Sequence, residues 1–229
     1  MKLVCRGATV SPCTPEKGPC FGEAGCILDA LRDQDGGLIV CAGDSNTFPP
    51  KPRWCQPLGA WLDGFETMPT GWPGSRASDD PGLKVAPNVI LSARPYLENM
   101  LGWPTRPNLV ILAWGTNDIP VHTAKQITHA VDRLVQLMRR AGVVPLVATV
   151  PWRHWGGFAP KIAALNGLLA ARYGPCLIDF TTITPATASW YVDRVHLDPA
   201  AQERRAIAAT YALKTLPRSC AAGVASRKE

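Results

Sequence analysis

The chain has 229 residues, of which 46% are hydrophobic, and this length and composition are typical of one folded domain with a sizeable core. Its formal net charge of +6 comes from 24 basic and 18 acidic residues, which are scattered along the chain except in the C-terminal tail. Because no basic stripe is interleaved with aromatic residues, we expect no nucleic-acid partner. No stretch is long and apolar enough to predict an integral membrane segment.

From residue 37 onwards, short apolar runs alternate with longer amphipathic ones. The short runs predict strands at 38–42, 65–68, 108–114, 143–150 and 176–180. The longer runs predict helices at 54–62, 92–101, 124–142, 161–174 and 198–216. Asp198 and Pro199 are predicted as the N-cap and the first position of the last helix.

The predicted strands are apolar throughout, instead of at every second residue. Continuous apolar strands that alternate with helices indicate a parallel sheet covered on both faces, and therefore an α/β fold. In such sheets the functional residues lie at the carboxyl ends of the strands. The polar residues that follow the predicted strands are therefore the candidates for a functional site.

Eight cysteines bear on the expected location of the protein. The N-terminal sequence has no apolar stretch of the length that a signal peptide needs, which predicts a cytoplasmic location. An even number of cysteines would also suit a disulfide framework in an oxidising compartment, so secretion stays open. Because no Cys-x-x-Cys pair or nearby histidine supports a zinc site, we expect structural or free thiols in the N-terminal extension, and the oxidation state of the eight cysteines stays open. The cysteines are Cys5, Cys13, Cys20, Cys26, Cys41, Cys55, Cys176 and Cys220.

Short polar motifs follow the predicted strands. The stretch CAGDSNT puts Ser45 at the end of the first strand, and GTND puts Asn117 at the end of the third. The stretch DRVH, with Asp193 and His196, comes just before the last helix. An aspartate three residues before a histidine can accept from Nδ1–H and leave Nε2 as an acceptor, which is the tautomer that a general base needs.

Over residues 38–215 the chain resembles the SGNH (GDSL-type) hydrolase family. The resemblance rests on four motifs in this order: GDS, a glycine in the loop after the second strand, GxND after the third strand, and DxxH near the C-terminus. The resemblance implies a flavodoxin-like three-layer α/β/α sandwich with a central, mostly five-stranded parallel sheet. It implies a hydrolase domain over 37–216. The Cys-, Pro- and Gly-rich residues 1–36 would then be an N-terminal extension, either a lid, an arm or a disordered segment, and residues 217–229 a basic tail.

The resemblance also assigns catalytic roles. Ser45 matches the nucleophile, His196 the general base, and Asp193 the acid that orients the base. A serine hydroxyl is a poor nucleophile until a base accepts its proton, which is why the chemistry needs these three residue types together. By itself, Ser45 in an Asp-Ser-Asn sequence could equally be a turn residue.

The negative oxygen of a tetrahedral intermediate must be met by preorganised donors. The resemblance gives this role to the side chain of Asn117 and to the backbone N–H groups of Ser45 and Gly74, with Gly71 as the runner-up for the glycine. Asp44 is expected to hold its own loop by accepting backbone N–H bonds. Asp118 is expected to cap the helix that follows it.

Several large side chains near the predicted carboxyl-end rim are candidates for substrate binding. Tryptophans at the rim could stack on a sugar or line an acyl pocket, although core contacts are about as plausible for each of them. Two arginines near the same rim, Arg76 and Arg153, are expected to be solvated. The candidate substrate-binding residues are Trp72, Trp114, Trp152, His154 and Trp190.

The sequence therefore predicts a serine esterase that acts on a short-acyl or acetyl ester, of an alcohol or a carbohydrate, through an acyl-enzyme on Ser45. A thioesterase or lysophospholipase with the same centre and a non-catalytic binding protein of the same fold are the alternatives. A nucleotide site is disfavoured because both glycine-rich phosphate-binding motifs are missing. No metal or organic cofactor is expected, the predicted partner is a small-molecule or glycan ester, and the oligomeric state stays open.

Overall fold

The computed structural model describes residues 27–32, 37–48, 54–79, 92–153, 157–184 and 188–221. Its strands are β1 (Gly37–Gly43), β2 (Phe65–Gly71), β3 (Leu109–Ala113), β4 (Val144–Ala148) and β5 (Leu177–Ile178). Its α-helices are α1 (Ile27–Arg32), α2 (Gln56–Trp61), α3 (Ala93–Leu101), α4 (Ala124–Arg140), α5 (Ala159–Tyr173) and α6 (Pro199–Thr215).

All five strands pair in parallel, in the order β2-β1-β3-β4-β5. This order has a switch point between β1 and β3, and ligands of doubly wound sheets bind outside the carboxyl ends of the strands at such a point. The predicted flavodoxin-like α/β fold with a five-stranded parallel sheet is confirmed. The two strands at the switch point end at Gly43 and Ala113, directly before the motifs that contain Ser45 and Asn117.

Alternate residues of the strands belong to two different cores. Ile39 and Cys41 of β1 pack with residues of α1, α2 and α6, whereas Leu38, Val40 and Ala42 pack with residues of α3, α4 and α5. A sheet that is covered on both faces needs apolar side chains at every position of its central strands. This arrangement explains the uninterrupted apolar runs of the sequence.

The fifth strand is shorter than the predicted strand 176–180, because only Leu177–Ile178 pair with β4. Residues Gly174–Cys176 form a 3₁₀ turn that delays the start of the strand. At the other end, the backbone N–H of Phe180 donates to Oγ1 of Thr149 at 2.8 Å. A side-chain hydrogen bond therefore takes the place of the next bond of the ladder.

Helix α1 corrects the prediction of a lid, an arm or a disordered segment for residues 27–32 alone. Its residues Ile27, Leu28 and Leu31 are buried in the core, and the N–H of Ile27 donates to the carbonyl of Leu216 at 2.9 Å. These six residues are therefore part of the folded domain. Residues 1–26, with the four N-terminal cysteines, and residues 222–229 of the predicted tail lie outside the described residues.

Four of the cysteines form two disulfides. Cys41–Cys55 joins β1 to the start of α2 and closes the segment that carries Ser45, and Cys176–Cys220 joins the start of β5 to the C-terminal 3₁₀ turn. The sequence left the oxidation state of these four residues open. Disulfides persist in oxidising compartments, so secretion stays open. The cytoplasmic location stays a prediction.

Candidate active site

The nucleophile loop, residues 44–47, turns sharply after β1. The N–H of Thr47 donates to the carbonyl of Asp44 at 2.9 Å, and the N–H of Asn46 donates to Oδ1 of Asp44 at 2.9 Å. Asp44, Asn46 and Thr47 are buried, whereas Ser45 is partly exposed. The loop thus presents the Ser45 hydroxyl at the carboxyl edge of the sheet, and the predicted loop-holding role of Asp44 is confirmed.

The base turn, residues 192–196, is closed by its own backbone and by one carboxylate. The N–H of Val192 donates to the carbonyl of His196 at 2.9 Å. Oδ1 of Asp193 accepts from the N–H of Val195 at 3.2 Å and from the N–H of His196 at 2.8 Å. Arg194, between Asp193 and Val195, has a φ of +69°. This left-handed conformation lets the chain fold back over five residues.

These two segments bring Ser45, His196 and Asp193 together. Nε2 of His196 lies 2.8 Å from Oγ of Ser45, and Nδ1 lies 2.6 Å from Oδ2 of Asp193. With the Nδ1–H donating to the carboxylate, Nε2 is the acceptor for the serine hydroxyl. The three predicted catalytic side chains therefore form one continuous chain of hydrogen bonds across 151 residues of sequence between Ser45 and His196.

The carboxyl group of Asp193 stays ionised down to low pH. Its partial burial acts to raise its pKa, but the hydrogen bonds from the ring and the backbone N–H of His196 outweigh that effect and lower the pKa. A carboxylate that is ionised at neutral pH stabilises the imidazolium that forms when the ring takes a proton. The electrostatics of the turn thus suit a general base.

The oxyanion-side loop, residues 72–78, follows β2. The N–H of Ser75 donates to the carbonyl of Trp72 at 3.1 Å, which closes a turn in which Gly74 has a φ of +80°. Nδ2 of Asn117 donates to the carbonyl of Ser75 at 2.9 Å. An amide NH₂ has two hydrogens, so this bond fixes the amide plane and leaves the second hydrogen for another acceptor.

The two predicted oxyanion glycines have different surroundings. A Cβ on Gly71 would lie 2.5 Å from the carbonyl oxygen of Asp44 and 2.5 Å from the backbone nitrogen of Phe48. Gly71 is therefore required for the close approach of β2 to the nucleophile loop. Gly74 is exposed and lies next to Ser75, which the amide of Asn117 contacts. The choice of Gly74 as the oxyanion donor stays a prediction.

Asp118 holds the oxyanion-side loop. Its carboxylate accepts from the N–H of Ala77 at 2.9 Å, from the N–H of Ser78 at 3.0 Å and from the hydroxyl of Ser78 at 2.6 Å. The prediction that Asp118 caps the next helix is wrong, because Thr123 is the N-cap of α4. The sequence carries no sign of this contact, since the partners lie about 40 residues away along the chain.

The candidate substrate-binding residues separate into two groups. Trp114 is only 2% exposed, and its Nε1–H donates to the hydroxyl of Ser75 at 2.8 Å, so it is a core residue and its predicted contact with substrate is wrong. Trp72, Trp152 and Trp190 are partly exposed around the site. His154 lies outside the described residues.

Two arginines under the site are buried. Arg153, which we expected to be solvated, is 8% exposed and donates from Nη1 to the carbonyl of Thr116 at 3.0 Å. The guanidinium of Arg205 lies 4.0 Å from the ring centre of Phe180, and burial lowers its pKa to about 10. The burial of Arg205 was not predicted from the sequence. Its spacing of four residues from the buried Ala201 and Ala209 places it on the buried face of α6, and this spacing could have indicated it.

The described ranges also bear on metal binding and on membrane insertion. No group of three or more His, Cys, Asp and Glu side chains is arranged there to hold a metal ion. In the same ranges, no helix combines the length and the apolar character needed to span a bilayer.

The fold is shared with solved structures of known kind. A proposed arylesterase from Agrobacterium tumefaciens str. C58 has a TM-score of 0.66 and 25% identity, over 79% of this chain and 99% of that chain. A carbohydrate acetylesterase family member from Sinorhizobium meliloti has a TM-score of 0.66 and 20% identity, over 79% of this chain and 98% of that chain. A lipolytic protein of the G-D-S-L family from Veillonella parvula has a TM-score of 0.59 and 18% identity, over 77% of this chain and 97% of that chain.

No protein-family model matches the chain, and no curated protein matches it. The structural likeness nevertheless agrees with the motifs, because GDS, GTND and DRVH meet at the carboxyl edge of a parallel sheet with the switch point expected for this fold. The fold, the motifs and the structural neighbours together support the SGNH (GDSL-type) hydrolase family and a carboxylic ester hydrolase.

Proposed function

We propose that the protein is a serine esterase in which Ser45 is the nucleophile, His196 the general base and Asp193 the group that orients the base. The observation that carries this proposal is the continuous contact from Oγ of Ser45 through both ring nitrogens of His196 to Asp193. The serine is partly exposed at the switch point of the sheet, where an ester can reach it.

In the first half of the reaction, Oγ of Ser45 attacks the ester carbonyl while its proton moves to Nε2 of His196. The carbonyl π electrons move onto the oxygen and give a tetrahedral oxyanion. When this intermediate collapses, the bond to the alkoxy group breaks, and the leaving oxygen takes the proton from Nε2. The products of this half are the free alcohol and an acyl group on Ser45.

The oxyanion is stabilised in this proposal by the N–H of Ser45, the N–H of Gly74 and the second amide hydrogen of Asn117. The amide of Asn117 is already oriented by its bond to the carbonyl of Ser75, so little reorganisation is needed when charge develops. Loss of one donor of this kind typically costs about two to three orders of magnitude in turnover.

In the second half, a water molecule takes the place of the alcohol. Nε2 of His196 accepts a proton from the water as its oxygen attacks the acyl carbonyl, and the resulting intermediate collapses with Oγ of Ser45 as the leaving group. The proton on Nε2 returns to Oγ. The free acid leaves, and the starting state is restored.

We propose a short-acyl or acetyl ester of an alcohol or a carbohydrate as the substrate. One structural neighbour is described as a carbohydrate acetylesterase family member and another as a proposed arylesterase, which supports an ester with a ring on its alcohol side. The backbone N–H of Trp72 donates to the carbonyl of Gly43, the residue immediately before the nucleophile loop. Its partly exposed indole offers a flat apolar surface to such a ring.

The test is hydrolysis of p-nitrophenyl acetate, butyrate, octanoate and palmitate by the wild type and by Ser45→Ala, with thioester analogues of the same acyl chains in parallel. We expect turnover of the short-chain esters by the wild type and a loss of several orders of magnitude in Ser45→Ala, because the acyl-enzyme cannot form. A serine-directed phosphonate should label Ser45 in the wild type alone.

Ser219→Ala is the matched control, because Ser219 is exposed on the C-terminal 3₁₀ turn. Turnover that survives in Ser45→Ala would refute the proposal. A preference for thioesters or for palmitate would instead select the thioesterase or the lysophospholipase. A folded wild type that hydrolyses none of the substrates would favour the non-catalytic alternative.

A further inference from the structure

A second hydrogen bond joins the nucleophile loop and the base turn beside the contact between Ser45 and His196. The backbone N–H of Leu197 donates to Oδ1 of Asn46 at 3.2 Å. Asn46 directly follows Ser45, and Leu197 directly follows His196, so this bond and the 2.8 Å contact from Oγ to Nε2 connect adjacent pairs of residues. Unlike that contact, it contains no atom that reacts.

The backbone N–H and carbonyl of Asn46 are also committed, whereas Nδ2 of its side chain has no hydrogen-bond partner among the described residues. Its N–H donates to Oδ1 of Asp44 at 2.9 Å, and its carbonyl accepts from Nε2 of Gln202, on α6, at 3.3 Å. The residue is 2% exposed. The backbone of Asn46 is therefore held by Asp44, within the nucleophile loop, and by Gln202 of α6, and its side-chain Oδ1 supports the residue that follows the base.

Leu197 is buried against Tyr191 and Ala201, but the hydrogen bonds of the base turn to the rest of the described residues are few. The side chains of Asp193 and His196 are 54% and 34% exposed, and the bonds of Asp193 stay within the turn. The imidazole ring of His196 must nevertheless keep its position relative to Ser45 during proton transfer. In that step Oγ of Ser45 becomes bonded to carbon, and its contact with Nε2 changes. A bond from Asn46 to Leu197 persists through these steps because neither group takes part in them.

We propose that Asn46 is a positioning residue that sets the distance between Ser45 and His196 by holding the backbone of Leu197. This inference rests on the proposed function, since it assigns a role within the same reaction. Asn46 acts through Leu197 and His196 and does not touch the substrate. A displacement of about 1 Å in a reacting group can lower a rate about 10²-fold, so one backbone bond at this position has a large effect on turnover.

Asn108 provides a matched control elsewhere in the molecule. It is also buried, and its Oδ1 also accepts the backbone N–H of a distant residue, Leu38, at 3.1 Å. It directly precedes β3, so it lies at the amino end of the sheet, away from the site. Asn46→Ala and Asn108→Ala therefore remove the same kind of buried bond, and only one of these bonds supports the base turn.

The experiment measures kcat, KM, the rate of inactivation by a serine-directed phosphonate, and the melting temperature of both variants. Both should melt several degrees below the wild type. For Asn46→Ala we expect a loss of about 10²-fold in kcat and in the inactivation rate, with KM within about threefold. Asn108→Ala should keep kcat within about threefold, because its lost bond lies at the other end of the sheet.

A second variant tests the bond from its other side and covers the case in which Asn46→Ala fails to fold. Replacing the amide N–H of Leu197 by an ester oxygen, through incorporation of the α-hydroxy analogue of leucine, deletes the donor and leaves every side chain in place. We expect a loss of at least about tenfold in kcat at unchanged KM.

Two results would overturn the inference: a kcat within threefold of the wild type in Asn46→Ala or in the ester variant, or an equal loss of kcat in Asn108→Ala. Either result would leave the proposed function intact as long as Ser45→Ala is inactive. If Ser45→Ala kept its activity, the proposed function itself would fail.

Discussion

The oxyanion-side loop is tied to the core by side chains from far along the chain, whereas the base turn is held largely from within. The bonds of the loop to Trp114, Asn117 and Asp118 join residues separated by 39 to 42 positions, and most of them are buried. The carboxylate of Asp193 instead bonds two and three residues ahead and is mostly exposed. Substitutions in the loop should therefore lower both the free energy of unfolding and the turnover. Substitutions in the turn should lower the turnover and leave the free energy of unfolding almost unchanged.

The strongest test of this difference is Asp193→Asn. An amide at this position no longer favours the Nδ1–H tautomer or stabilises the imidazolium, so we expect kcat to fall about ten-thousandfold, as it does for the equivalent change in chymotrypsin-like serine proteases. The free energy of unfolding should change by less than about 0.5 kcal/mol, because the carboxylate is exposed and its bonds are local. Ester hydrolysis and urea denaturation of the same preparation measure the two quantities.

The small stability contribution of Asp193 should also depend on pH. Its pKa is lowered in the folded protein, so the contribution is present above the unfolded value near 3.8 and is lost as the pH falls through the lower folded value. Thermal melts of the wild type and Asp193→Asn should therefore converge at acid pH. A difference in melting temperature that grew on acidification would contradict this assignment, and near-normal turnover of the folded variant would remove Asp193 from the reaction.

Asp118→Ala tests the other half of the comparison. The substitution leaves the N–H groups of Ala77 and Ser78 without their carboxylate acceptor, and we expect the free energy of unfolding to fall by about 3 kcal/mol. Because Asn117 contacts the same loop, kcat should fall about tenfold as well. Urea denaturation and ester hydrolysis again give both numbers.

Asp132→Ala is the control for Asp118→Ala. Asp132 also accepts two bonds, from Nε of Arg172 at 3.0 Å and from the hydroxyl of Tyr173 at 2.7 Å, but it joins α4 to α5 and lies outside the site. Its removal should cost about 1 kcal/mol or less and leave kcat unchanged. If Asp118→Ala were no less stable than this control, the contrast between the loop and the turn would be wrong.

The same contrast explains how much of the molecule could be predicted from the sequence. The sheet and most of its helices follow from local periodicity. The exceptions are β5, because the hydroxyl of Thr149 replaces part of its ladder, and α1, which was not predicted. Ser45 and Asn117 were predicted because each lies in a short motif after a strand, and Asp193 and His196 because DRVH comes just before the last helix. The family resemblance then assigned their roles. The geometry within DRVH is local, and the sequence spacing is enough to predict the bond of Nδ1.

The supports of the site could not be predicted in this way. The partners of Asn46 and Asp118 become neighbours only when the sheet has formed, and no spacing in the sequence encodes a contact over 151 or about 40 residues. Trp114 was misjudged for a related reason. A tryptophan at a strand end has the same sequence context whether its indole turns towards solvent or, as here, towards the hydroxyl of Ser75 in the core.

The smallest expected effect is that of Arg194→Gly in the base turn. Arg194 has a φ of +69°, and glycine adopts this conformation without the steric cost of a Cβ, while it loses more backbone entropy on folding. The net gain in the free energy of unfolding should be about 0.5 kcal/mol, and kcat should stay within about twofold. Arg194→Ala keeps the strained backbone and removes the same side chain, so it should show no gain. A loss of turnover in Arg194→Gly but not in Arg194→Ala would mean that the turn needs the restricted backbone of a non-glycine residue to hold His196, and that its own bonds and Asn46 are insufficient.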